Sequence, residues 1–237
     1  MLLKVWSAKM RKTKVLQSQG KNPMTMAFRR LWCALFGVHF MCVVAFGASI
    51  DELTSLEQLI YHKKQQSVTV LQKQCDKNEL FACFHLGILY SGGENVDYKQ
   101  SASYYAKACE GSLMAACNNL GVMYSKGEGV RQDDEKALEL YRAACNGGSA
   151  DGCNNLGVSL ELGIGLKKNY AQAGVYYAVA CENKSPKACY NLADLTLKGR
   201  GVRKNKELAK QYYGLSCDFG SQEGCEKYRE LNTSKKK

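Results

Sequence analysis

Ten of the twelve cysteines stand in pairs eight residues apart: Cys75/Cys83, Cys109/Cys117, Cys145/Cys153, Cys181/Cys189 and Cys217/Cys225. Thiols at a fixed spacing can close disulfides or hold a metal. In an unbroken α-helix residues eight apart are separated by about 12 Å along the axis, beyond the roughly 7 Å that a disulfide tolerates between Cα atoms. The chain must therefore turn inside each pair. Residues that turn readily stand there: Gly111 and Ser112, Gly147 to Ser149, Ser185 and Pro186, Gly220 and Ser221. The spacing predicts five local bridges, each joining the end of one helix to the start of the next. A closed loop of about nine residues contributes roughly 2 to 3 kcal/mol in the chain-entropy account. A zinc site would need clustered donors. His62 and His85 fall on different helices and the ten thiols are committed, so no metal and no other cofactor is expected.

A second set of polar residues keeps the same register: His85, Asn119, Asn155 and Asn191 each stand two places after a second cysteine. Two readings are open. On the concave side of a superhelix the amides form a ladder that bonds the N–H and C=O groups of an extended peptide. Alternatively they satisfy turns or backbone groups inside the array. Asn118 and Asn154 adjoin the column, but Phe84 and Tyr190 interrupt their repetition. The tyrosines at 105, 141, 177 and 213, each four places before a first cysteine, are read as core.

These residues recur with a whole unit of 34 to 36 residues, not one residue type alone. Leu86, Leu120, Leu156 and Leu192 are followed by Gly87, Gly121, Gly157 and Ala193. Such a period means stacked units, each too small to bury its own hydrophobic face. One helix of the unit, A, is exemplified by Met114 to Lys126, with Leu120, Met123 and Tyr124 at helical spacing. It ends at Gly127-Glu128-Gly129-Val130 and its counterparts at Gly163 and Gly199, where glycine points to positive φ. Asn95 takes the place of Gly129 in the first unit. Helix B starts at Asp97, Asp133, Asn169 and Asn205, residue types that cap helix N-termini. The segment from Asp51 to Lys73 presents Leu53, Leu56, Leu59 and Ile60 as one face, and Cys225 to Leu231 is the expected closing helix. The organisation expected is a leader at 1–47, capping helices at 48–74, the array at 75–231 and a disordered basic tail at 232–237, all-α with no sheet.

The formal charge of +11 is unevenly placed. Residues 1–47 hold eight basic side chains and no acid, leaving the remainder about +3, with Lys235, Lys236 and Lys237 at its end. The array lacks the basic stripe that sequence-independent nucleic-acid binding requires. Arg29 and Arg30 precede an apolar run from Leu31 to Ala48, with Ala45 and Gly47 placed for cleavage. This reads as a secretory leader, and Met24 or Met26 as the start. The run is also long enough for an uncleaved anchor, the one membrane association the sequence offers. Cys33 and Cys42 lie within the leader, so an even number of thiols remains for an oxidising compartment, secreted or periplasmic.

The run Leu120-Gly121-x-x-Tyr124-x-x-Gly127-x-Gly129-Val130, followed by Asp133, Lys136-Ala137, Tyr141 and Ala144, resembles the Sel1-like repeat, a relative of the tetratricopeptide repeat with a longer turn. A cysteine pair in every unit and an export leader narrow the resemblance to the Helicobacter cysteine-rich proteins, over residues 50 to 231. The resemblance implies a right-handed α/α superhelical solenoid, secretion, penicillin binding and weak β-lactamase activity. Fold likeness does not establish that activity. A serine β-lactamase needs Ser-x-x-Lys and Lys-Thr-Gly. Ser18-x-x-Lys21 lies in the leader and Ser234-x-x-Lys237 in the tail, and Lys-Thr-Gly is absent from the sequence. The Gly-x-Gly elements follow no strand and are turns, not phosphate loops. The chain is thus expected to recognise an extended peptide, a protein or a peptidoglycan-like ligand in a concave groove. The alternative is β-lactam binding and hydrolysis, with no catalytic residue assignable.

Overall fold

The computed structural model describes residues 67–92 and 96–233. The leader, the face formed by Leu53 to Ile60, Asn95 and the lysine tail lie outside the described residues. The chain divides into two units, 1–67 and 68–237, and the helical array belongs to the second.

Among the described residues there are ten helices and no strand: α1 (67–76), α2 (Leu80–Ser91), α3 (Tyr98–Glu110), α4 (Met114–Lys126), α5 (Asp134–Asn146), α6 (Ala150–Leu162), α7 (Tyr170–Glu182), α8 (Pro186–Lys198), α9 (Lys206–Asp218) and α10 (Gln222–Thr233). The even-numbered helices are A helices, and α3, α5, α7 and α9 are the B helices that pair with them. The closing helix is longer than expected. It starts three residues before Cys225 and runs through Asn232 and Thr233 into the segment expected as disordered tail.

Each turn from A to B is closed by residue type. Gly127, Gly163 and Gly199 end their helices in the left-handed region, and Gly129, Gly165 and Gly201 also have positive φ. Asp97, Asp133, Asn169 and Asn205 then cap the B helices, accepting from the backbone N–H of Gln100, Lys136, Gln172 and Leu208 at 2.9 to 3.1 Å. The cap's own N–H reaches back to the preceding A helix, at the carbonyls of Tyr90, Tyr124, Leu160 and Thr196.

The turns from B to A follow one design that the residue types had hidden. Asn78, Ser112, Gly148, Lys184 and Gly220, each three places after a first cysteine, all have positive φ. The next residue sends its N–H to a carbonyl five places back, as in Leu113 to Ala108 and Ser185 to Ala180, which is a Schellman closure. Gly111 and Gly147, read as turn glycines, have φ of −75° and −83° instead. Their missing side chains make room for Leu80 and Met114.

All five predicted bridges are formed, Cys75–Cys83, Cys109–Cys117, Cys145–Cys153, Cys181–Cys189 and Cys217–Cys225, with Cα atoms 4.5 to 4.8 Å apart. Each ties the last turn of one helix to the first turn of the next and so links consecutive hairpins. Cys83, Cys117 and Cys189 lie inside the core. They are buried at 0%, 2% and 0% exposure, and each sulfur lies 3.6 to 3.7 Å from the backbone carbonyl oxygen of its own bridge partner. An oxidised sulfur has no proton to donate, so this approach is a packing contact and not a hydrogen bond. These three cysteines are structural staples, as their spacing predicts.

The core is built by the tyrosine column. Tyr105, Tyr141, Tyr177 and Tyr213 are at most 5% exposed. The first three rings pack against helix A at Gly87, Gly121 and Gly157, where an added Cβ would come within 2.5 to 2.7 Å of ring carbons. Alanines at 137, 144, 173 and 180 are buried around them and allow the helices to approach closely.

Candidate functional site

Successive A helices touch one another directly, α4 with α6 and α8 with α10, whereas successive B helices meet mainly through the A row. The A row is thus the inner side of the array, and the asparagine column lies on it.

The amides there form one continuous chain across three repeats. Asn191 Nδ2 donates to Asn154 Oδ1 at 3.1 Å, and Asn154 Nδ2 to Asn155 Oδ1 at 3.5 Å. Asn155 Nδ2 donates to Asn118 Oδ1 at 2.8 Å, and Asn118 Nδ2 to Asn119 Oδ1 at 3.3 Å. Asn118 and Asn154 are buried, while Asn119, Asn155 and Asn191 are half-buried. The column therefore keeps its polar tips at the surface on a second, buried row of amides. That row has a structural part in the relay that sequence reasoning underrated. Its signal was the doubled Asn-Asn, present in two repeats and replaced by aromatics at both ends. Phe84 packs on Tyr105 with ring centroids 5.8 Å apart, and Tyr190 meets Tyr213 edge-on at 5.2 Å. His85 stands exposed on α2, 6.2 Å from the Phe84 ring, and takes no place in the amide chain.

A carboxamide has two N–H donors and two acceptor lone pairs. Asn155 engages one of each in the relay, which leaves one of each, and Asn119 engages one lone pair alone. Each amide is oriented by its neighbour, so the remaining donors and acceptors point in fixed senses.

One turn further along each A helix the surroundings change from apolar to charged. Ile88, Val122 and Val158 occupy this place in α2, α4 and α6, and Asp194 and Glu230 in α8 and α10. Asp194 pairs with Lys198, and Glu230 with Lys227 at 2.8 Å. Two of the buried tyrosines reach carboxylates: Tyr177 donates to Glu161 at 2.9 Å and Tyr213 to Asp194 at 3.4 Å. Burial, then the charge and hydrogen bond of Glu161, raise the Tyr177 hydroxyl far above its ordinary value. Burial and then Asp194 do the same for Tyr213, and burial pushes Tyr141 up to about 12. These hydroxyls keep their protons at neutral pH. The chemistry this surface offers is hydrogen bonding by amides that do not titrate. Among the described residues no three His, Cys, Asp or Glu side chains gather to hold a metal, and no helix is long and apolar enough to cross a membrane. Both Ser-x-x-Lys matches fall outside the described residues.

The Sel1 repeat profile matches at residues 80–113, 115–149, 150–185 and 186–220. The chain is 30% identical to c5321, a protective antigen of uropathogenic Escherichia coli strains with an SLR fold. The match has a TM-score of 0.60 and covers 65% of this chain and 33% of that one. It is 26% identical to a Sel1 repeat protein of Oxalobacter formigenes, at a TM-score of 0.62 over 66% of this chain and 65% of that one. Cysteine rich protein B of Helicobacter pylori is 31% identical, covering 57% of this chain and 97% of its own, with a TM-score of 0.46. The chain thus spans one third of the length of the antigen and just under two thirds of the O. formigenes protein. No curated protein matches it. Four consecutive matches over more than half of the sequence, on a stack of A–B hairpins, place this chain in the Sel1 repeat family.

Proposed function

We propose that the chain is a protein-interaction scaffold whose A row recognises an extended peptide-like segment through His85, Asn119, Asn155 and Asn191. The relay from Asn191 to Asn119 carries this reading. It holds polar groups at the surface in fixed orientations, and the cost of orienting them is met before a ligand arrives. Packed helices stand about 8 to 10 Å apart, close to three residues of extended chain at ~3.3 Å each, so one amide per repeat matches every third residue of a bound strand. Val122 and Val158 beside the amides favour an apolar side chain between those contacts. The five bridges support an oxidising compartment, and we read the protein as secreted or periplasmic.

Calorimetric titration of the oxidised protein tests the proposal. The probes are a neutral decapeptide alternating valine with serine, a disaccharide-peptide fragment of peptidoglycan, and benzylpenicillin, with chromogenic lactam turnover measured in parallel. Asn119→Ala with Asn155→Ala should weaken the decapeptide or the muropeptide by about tenfold or more, two lost hydrogen bonds being worth about 1 kcal/mol each. Binding that ignores both substitutions contradicts the proposal. Lactam turnover lost in the variants would establish the hydrolytic alternative in its place.

A further inference from the structure

A second surface, on the outer side of the array, carries the marks of a docking site. The B helix α7 has no charged side chain from Tyr170 to Cys181, whereas α3, α5 and α9 carry charge along the same stretch. Its difference begins at one residue. In the preceding repeat Leu138 is buried and reaches the Gly165 turn. Gly174 holds the corresponding place in α7, with a negative φ that any residue could adopt and only Val202 and Leu195 near an added Cβ, at 3.3 and 3.8 Å. A glycine inside a helix, required by neither turn nor close approach, weakens that helix. What it leaves is an open notch of about 480 Å³ between α7 and α9, floored by Leu192 and walled by Val175, Ala178, Val202 and Tyr212. Val175 is 62% exposed at its lip, where α5 carries Glu139.

The charge around the notch is one-sided. Arg203 is part of its wall. Lys168 and Arg200 both stand over the ring of Tyr170, the first residue of α7, at 5.8 and 5.6 Å. The turn from Gly199 to Asn205 holds Arg200, Arg203 and Lys204 and no acid, and that from Gly163 to Asn169 holds Lys167 and Lys168 and no acid. Glu207, beside Leu208 on the first turn of α9, is the nearest carboxylate in sequence. A compact apolar recess next to several cations matches an anchor side chain flanked by acids.

We propose that this notch docks an acidic segment of a partner protein through one bulky apolar side chain seated at Gly174, with flanking carboxylates on Arg203, Arg200 and Lys168. The site is separate from the amide row, so Asn155→Ala leaves it unchanged.

The test is fluorescence anisotropy with a labelled heptapeptide of one central Trp between three Asp or Glu on each side. Its controls carry Ser for the Trp, or Lys for the acids. The acidic Trp peptide should bind, the controls should not, and binding should weaken with salt. Val175→Glu places the sibling repeat's residue on an exposed position and should leave the thermal melt in place while lowering affinity about tenfold or more. Arg203→Glu should lower it similarly and reduce its salt dependence. Gly174→Leu, which restores the leucine of the preceding repeat, should abolish binding. Equal affinity for the three peptides, or affinity untouched by both Val175→Glu and Arg203→Glu, overturns the proposal. So does sensitivity to Val175→Glu seen only with phosphatidylglycerol vesicles, which would make the surface a membrane contact.

Discussion

Replacing Gly157 by alanine separates two accounts of the hairpin. Helix propensity alone favours the substitution by about 1 kcal/mol, since glycine inside a helix is that much worse than alanine. The packing opposes it. The new Cβ would sit 2.7 Å from two ring carbons of Tyr177 and 3.3 Å from the carbonyl oxygen of Ala173. Carbon atoms rest at about 3.5 to 4.0 Å, so the ring must retreat by roughly 1 Å. It has little freedom to do so, being 1% exposed and tied through its hydroxyl to Glu161 at 2.9 Å. Overpacking of this kind costs about 1 to 3 kcal/mol. Set against the propensity gain, Gly157→Ala should destabilise the protein by about 1 kcal/mol.

The last hairpin supplies the reciprocal experiment. Ala193 occupies the glycine place there, and the Tyr213 hydroxyl turns to Asp194, since Leu197 at the place of Glu161 offers no acceptor. Tyr213 is already accommodated, so Ala193→Gly forfeits about 1 kcal/mol of helix propensity and relieves no clash. Both changes should lower the urea midpoint of the oxidised protein, whereas propensity by itself requires opposite signs. A higher midpoint for Gly157→Ala would refute the interlock.

Exchange at the left-handed column should also run in opposite directions. Lys184→Gly should stabilise by about 0.5 to 1 kcal/mol and Gly148→Ala should destabilise by about 1 kcal/mol in the same titration, because non-glycine residues are penalised at positive φ and no atom would touch the new Cβ at 148. Removing one bridge with Cys145→Ala and Cys153→Ala should cost about 2 to 3 kcal/mol, read as a lower melting temperature than the oxidised parent. Alkaline titration should unfold the array late. Tyr141 is held neutral by burial and its folded value lies above its unfolded value of about 10, so its contribution is fully present below pH 10 and is lost as pH rises through about 12. Tyrosinate absorbance should therefore rise in the folded protein at higher pH than in urea, and Tyr141→Phe should remove part of that difference.

The elements legible in the sequence are those that one residue type encodes locally. A paired cysteine, an Asp or Asn before a helix and a glycine after one each carry their own conformational reason, and the bridges, caps and A-to-B turns stand where those residues placed them. The B-to-A turn lies inside each cysteine pair as expected, but its left-handed residue was not singled out, because that position holds Asn, Ser, Gly, Lys and Gly in turn. The Schellman hydrogen bonds impose that conformation on Ser112 and Lys184 as well as on Asn and Gly, so composition marks it unevenly. The surface asparagines were visible as a column with Asn118 and Asn154 beside it, but the pairing between the two rows was not. Asn155 pairs with a residue 37 places earlier, and Asn191 likewise. That offset is one repeat plus one residue, a relation set by how adjacent A helices lie against each other. The notch at Gly174 was equally silent, since a missing leucine acquires meaning only beside the repeat that keeps one.

The position of the bridges follows from where the array is weakest and bears on the amide row. Within a hairpin, A and B interlock through tyrosine on glycine, and their contact is more extensive than that between B and the following A. A linear array is held together by the sum of unit stabilities and nearest-neighbour interfaces, so the thinner junction limits cooperativity along the stack. The disulfides lie at that junction and lie outside the already well-packed hairpin. The amide relay depends on the same junction, because its longest-range bonds, from Asn155 to Asn118 and from Asn191 to Asn154, cross from one hairpin to the next. Reduction should therefore loosen the relay before it melts the hairpins. Hydrogen exchange on the reduced protein should show protection retained in the middle of α4 through α8 and lost first at the turns 109–117 and 145–153. Loss of the hairpin interiors together with those turns would mean that the bridges hold the units themselves, and the relay would then have no separate dependence on them.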